Sequence, residues 1–123
     1  MSQTQTQTLF EKLGGRPAVE TVVKDFYRRV LNDPHLSGFF ENVDMDHQTR
    51  QQIAFLTAAL GGPDNYRGRN MKDAHAHLGI TEFHFDKVAG HLVDTLKAAG
   101  VPQADIDAVV ELVAPLKADV VSA

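Results

Sequence analysis

No cysteine occurs in the 123-residue sequence, which removes disulfides, thiolate nucleophiles, iron–sulfur clusters and cysteine-based zinc sites together. No apolar run approaches the roughly 20 residues that a membrane-spanning helix needs. The opening, Ser2 to Thr8, alternates Gln and Thr without a basic or apolar region, so it reads as a disordered polar tail and not as a targeting signal. Strand-like alternation, internal repeats and linkers are missing as well. Nor is there a basic excess. A formal net charge of -4 with 23% charged residues argues for a soluble globule, and against nucleic acid or an anionic membrane as the main partner. Together these absences make a cytoplasmic location the expectation. They leave metal chemistry to six histidines (His35, His47, His75, His77, His84, His91), to carboxylates, or to a cofactor that brings its own ligands.

What is present is helical periodicity. With 43% hydrophobic residues the chain can bury one core, so a single domain is expected over residues 9–123, after the tail at 1–8. Thr8 to Glu11 reads as a capping box opening a short helix that Gly14 and Gly15 stop. Pro17 suits the first turn of the next helix, where Val19, Val22, Val23, Phe26, Tyr27 and Val30 fall on one face. Asn32-Asp33-Pro34 breaks that pattern, and Leu36 to Phe40 is too short for more than a turn or two. Asp44 or Asp46 can cap a helix running to Leu60, with an inward stripe of Met45, Gln48, Gln52, Phe55, Leu56, Ala59 and Leu60. Residues 64–70 lack periodicity and read as an irregular segment. A short helix follows in which Met71, His75 and Leu78 share a face. Thr81 can cap a long helix with the stripe Phe85, Val88, Ala89, Leu92, Leu96 and Ala99. The last helix uses Ile106, Val109, Val110, Val113, Leu116 and Val120, with a kink expected at Pro115.

Two features depart from an ordinary helical core. Gln48 and Gln52 lie one turn apart on a core-facing stripe, and burying an unpartnered amide costs roughly 1–3 kcal/mol. Either they bond each other or buried water, or something polar sits opposite them. His75 likewise lies on an apolar face, either as a core histidine bonded to backbone or as a metal ligand. His75 and His77 point in different directions on a helix and cannot chelate one ion. His77, His84 and His91 read as solvated or flanking side chains.

The ordered set Leu13-Gly14-Gly15, Asp25-Phe26-Tyr27-Arg28-Arg29-Val30, Phe39-Phe40, Gln52-Ile53-Ala54-Phe55-Leu56, Gly61-Gly62-Pro63, Met71-Lys72-Asp73-Ala74-His75 and His84-Phe85 resembles the group I truncated haemoglobins over nearly the whole chain. The resemblance implies an all-α fold, a truncated globin built as a two-over-two α-helical sandwich around haem. It implies His75 as the proximal iron ligand and Phe40 against the porphyrin. Met45, Phe55, Met71, Phe85, Val88 and Leu116 would complete the apolar cage. Arg69, with Arg67 or Lys72 as further candidates, would meet the haem propionates, as cationic rim residues can. On the distal side it implies Tyr27, Gln48 and Gln52 as donors to bound O2, whose partial superoxide character a phenol and amide N–H groups can stabilise.

Some cyanobacterial members carry a distal histidine as sixth ligand where this chain has Gln51, so bis-histidine ligation is not expected, although His47 stands nearby. Others link a histidine of the last helix to the haem, and this chain has none after His91. Non-covalent haem b with its iron is therefore the expected cofactor. O2, NO and CO are the expected ligands, bound by a monomer. The function implied is conversion of nitric oxide to nitrate with electrons from a separate reductase. Non-enzymatic O2 storage or gas sensing is the alternative.

Overall fold

Thr8, expected within the polar tail, caps helix α1 (Leu9–Leu13) with a complete box. Its hydroxyl accepts from the Glu11 N–H at 3.1 Å, and the Glu11 carboxylate accepts from the Thr8 N–H at 3.0 Å. The structure is a computed structural model and describes residues 8–62 and 78–121. Gly14, at φ +115°, ends α1 in the left-handed conformation that glycine adopts freely. Pro17 then lies in the first turn of α2 (Arg16–Leu31), and all six apolar-stripe residues of α2 are buried as their spacing predicts.

After α2 the chain makes one 3-10 turn, Ser37–Phe40. Of the two capping candidates it is Asp44 that starts α3 (Met45–Ala59), accepting from the backbone N–H groups of Asp46 and His47. Thr81 caps α4 (Glu82–Ala98), and α5 (Gln103–Val113) begins directly after Pro102. The kink expected at Pro115 takes the form of a 3-10 turn, Ala114–Leu116, before a last short helix α6 (Lys117–Val120). The irregular segment and short helix expected at 64–77 lie outside the described residues, and with them Arg67, Arg69, Met71, Lys72, His75 and His77.

α2 packs on both α3 and α4, α4 packs on α5, and α1 bridges α2 to α5. This is the two-over-two sandwich. Its core joins Val19, Val23 and Val30 of α2 to Leu36, Leu96, Ile106 and Val109, all essentially sealed from solvent. The corner after α2 is fixed by the Asp33 carboxylate, which accepts from the His35 N–H at 2.9 Å, His91 Nε2 at 2.8 Å and Lys87 Nζ at 3.0 Å. His91, expected to be solvated, is thus half-buried and spans from α4 to this corner.

Three stripe residues fall elsewhere than their spacing predicts. Ala59 is exposed because α3 turns a neighbouring face, Ile53, Leu56 and Thr57, toward α2. Its Gln48, Gln52 and Phe55 side fronts a cavity instead. Ala99 is exposed because it forms the C-cap of α4, where the chain leaves the helix axis. Val110 is exposed because α5 buries the narrower face of Ile106 and Val109.

Candidate functional site

Between the layers lies a cavity of about 650 Å³, walled by α2, α3, the 3-10 turn at Ser37–Phe40, α4 and the C-terminal segment. Helix period alone explains why α2 reaches it: the register that buries Val23 and Val30 in the core also carries Phe26 and Tyr27 to the cavity wall. Tyr27 is buried, with its ring edge-on to Phe40 at 5.8 Å and tilted against Phe26 at 5.2 Å. Its hydroxyl oxygen accepts a 3.0 Å hydrogen bond from Gln48 Nε2. Burial pushes the phenol up to about 12, with the Gln48 bond pulling weakly the other way, so Tyr27 keeps its proton at neutral pH. That proton remains available for a further acceptor.

The question left open for the two glutamines is therefore answered by Tyr27. Gln48 bonds the phenol and not Gln52, while Gln52 lines the cavity with no hydrogen-bonding partner among the described residues. His47 and Gln51 of α3 line the cavity too. The result is a mostly apolar chamber in which Tyr27, Gln48 and Gln52 form a polar patch, with His47, Gln51 and His84 as the further polar residues among the described lining.

Of the other residues expected at the site, Phe40, Phe55, Phe85, Val88 and Leu116 line the cavity. Met45 does not: it is half-buried against the edge of the core, one turn before Gln48. Arg69, Met71 and His75 lie outside the described residues. Wall residues that were not read as site residues from the sequence include Phe26, Phe39 and His84. The signal for His84 was its position three residues after Thr81, where a side chain can reach back to the cap.

The bacterial-like globin family profile matches residues 8–122. The group 1 truncated haemoglobin of Tetrahymena pyriformis is 44% identical over 113 residues, spanning 92% of this chain and 93% of that protein. Its Synechocystis counterpart GlbN is 51% identical over 100 residues, spanning 78% and 81%. The crystal structure of the Tetrahymena pyriformis protein in the Fe(III) form superposes with a TM-score of 0.91 at 43% identity, covering 94% of this chain and 98% of that one. The 2/2 haemoglobin of Synechococcus, in the cyanomet state with covalently attached haem, gives a TM-score of 0.89 at 41% identity, covering 95% and 100%.

The chain belongs to the truncated haemoglobins. As a truncated haemoglobin it uses haem b with its iron and takes gaseous ligands such as O2. The residues present fit that group. The cavity volume falls in the range of small-molecule and cofactor pockets, roughly 300–1,000 Å³, and five phenylalanines, at 26, 39, 40, 55 and 85, supply flat apolar walls for a macrocycle. In this truncated haemoglobin the Tyr27 hydroxyl keeps its proton, and the Gln52 amide, without a hydrogen-bonding partner among the described residues, lines the same cavity.

Proposed function

We propose that this truncated haemoglobin binds O2 at an iron carried by His75 and uses it to oxidise nitric oxide to nitrate. The observation that carries the proposal is the 3.0 Å bond from Gln48 to the Tyr27 hydroxyl inside an apolar cavity. By occupying the phenol oxygen as acceptor, Gln48 orients the O–H away from itself, so that Tyr27 donates toward the chamber. The high phenol pKa keeps that donor in place across the physiological range. Gln52 adds amide N–H groups one helical turn further along α3. Donors fixed in a low-dielectric site stabilise developing negative charge more than water does, and they need no rearrangement as the charge forms.

When bound, haem supplies O2 capture and the reaction NO + O2 + e⁻ → NO3⁻, and the electron comes from a separate reductase. Phe40, Phe55, Phe85, Val88 and Leu116 grip the ring and exclude water. Met71 would add to this apolar enclosure, and Arg69 would neutralise a propionate. The haem is held without a covalent link, since residues 92–123 offer no histidine to form one. The working form is a cytoplasmic monomer.

Mixing the reduced, O2-loaded protein with NO in a stopped-flow spectrometer, with nitrate assayed afterwards, tests this reading. Rapid conversion to the ferric form with one nitrate per haem is expected. Conversion no faster than O2 release would overturn it in favour of O2 storage or gas sensing, the reading that the same donor set favours if it holds O2 too tightly to turn over.

A further inference from the structure

We propose that Asp33 and His91 are positioning residues for the ligand donor Tyr27: their hydrogen bond clamps the corner after α2 to α4 and thereby fixes Phe40, against which the Tyr27 phenol rests. The inference rests on the reading of Tyr27 as donor to the gas ligand and extends it to two residues set back from the cavity.

Three observations carry it. First, Asp33 is the hub of the corner. Its backbone carbonyl accepts from the N–H groups of Leu36 and Ser37 at 3.0 and 2.9 Å, and its carboxylate accepts from the His35 N–H at 2.9 Å. Leu36, Phe39 and Phe40 follow within the same turn, and all three line the cavity. One residue thus sets the path of a cavity wall.

Second, the other carboxylate oxygen leaves the corner and reaches α4. Asp33 Oδ2 accepts from His91 Nε2 at 2.8 Å and from Lys87 Nζ at 3.0 Å. The Asp33 side chain is only 5% exposed, and a charge so buried is costly unless its hydrogen bonds are made, so it holds these partners to one geometry. His91 stands between Val88 and Leu92, which line the cavity from α4. Its own carbonyl accepts from the buried Thr95 hydroxyl at 2.7 Å. The pair therefore joins two walls of the cavity from behind.

Third, the corner touches the donor. Phe40 stands edge-on to Tyr27 at 5.8 Å, and the 3.0 Å bond from Gln48 holds the phenol at its hydroxyl end. A hydrogen bond weakens steeply with distance and angle, so a shift of Phe40 passes to the Tyr27 hydroxyl as a weaker contact with the ligand.

O2 dissociation, measured by CO replacement in a double-mutant cycle with Tyr27→Phe, reads this coupling. His91→Leu removes the donor to Asp33, whereas His91→Gln keeps an N–H donor on a side chain of similar reach. Asp33→Asn is a second break: it keeps an acceptor for the His35 N–H but turns an amide toward His91 and Lys87. Dissociation about threefold or more faster is expected in His91→Leu and Asp33→Asn, with His91→Gln close to wild type and no further acceleration when either break is added to Tyr27→Phe. The C–O stretching band of the CO form, which senses donors beside the ligand, moves toward its Tyr27→Phe position in the two breaks and stays in place in His91→Gln. Unchanged rates and bands in both breaks, or equal acceleration with and without Tyr27→Phe, would overturn the proposal and leave the pair a purely structural tie. Tyr27→Phe without effect would instead remove the donor reading itself, and the proposal with it.

Discussion

At the scale of single residues, Thr57 and Gly62 show how closely the far end of α3 is packed. A Cβ on Gly62 would lie 2.7 Å from Phe10 Cγ and 2.8 Å from Thr57 Cγ2, so only glycine fits where α1 crosses the end of α3. The same crossing strands the Thr57 hydroxyl, which is buried without a hydrogen-bonding partner among the described residues. Replacing it by a methyl of the same shape removes an unsatisfied polar atom, so Thr57→Val raises stability by about 1 kcal/mol, read as a higher thermal midpoint of the ferric holoprotein. A lower midpoint would show that the hydroxyl has a partner in solution. Tyr27, Gln48 and Gln52 were legible in the sequence because they are polar residues at core spacing. His84 was not, because it sits one residue before the Phe85 stripe, off the apolar face that spacing marks.

Between elements, the main polar tie among the described residues is Asp33. The His91 hydrogen bond, with the His35 N–H and Lys87, holds its carboxyl well below the usual carboxylate range against the opposing effect of burial. Because folding lowers this pKa, the stabilisation is complete above about pH 5 and fades as the pH falls below the ordinary aspartate value of about 3.9. Asp33→Asn therefore lowers the thermal midpoint clearly at pH 7, and its gap to wild type narrows between about pH 5 and pH 3. A gap that stays constant over that interval would show that the charge of Asp33 contributes nothing.

The tie itself was not legible, since it joins residues 58 positions apart. Element boundaries were, wherever a cap and a stripe agreed: Thr8 and Gly14 around α1, Asp44 before α3, Thr81 before α4. They misled only on which face is buried. In α3 an apolar core face and a half-polar cavity face lie side by side, and a single stripe merges them, which is why Ala59 was placed inside and Ile53 and Thr57 were not.

Across the whole molecule, two helical layers leave a mostly apolar cavity of cofactor size, and α2 and α3 bring Tyr27, Gln48 and Gln52 to its wall. The two-over-two arrangement was legible through the family resemblance and not through periodicity, because periodicity fixes which residues face inward but not the partner they face. Met45 illustrates the limit, since it shares the α3 stripe with Gln48 yet ends on the core edge. The central claim is that Tyr27, oriented by Gln48, donates to the gas ligand. It is tested most directly by the O2 dissociation rate of wild type and Tyr27→Phe, measured by CO replacement after flash mixing. A lost hydrogen bond to a partly charged acceptor is worth about 1.5–3 kcal/mol, so dissociation about tenfold or more faster is expected in the variant. An unchanged rate would contradict the account and leave the Tyr27–Gln48 pair as a structural bond.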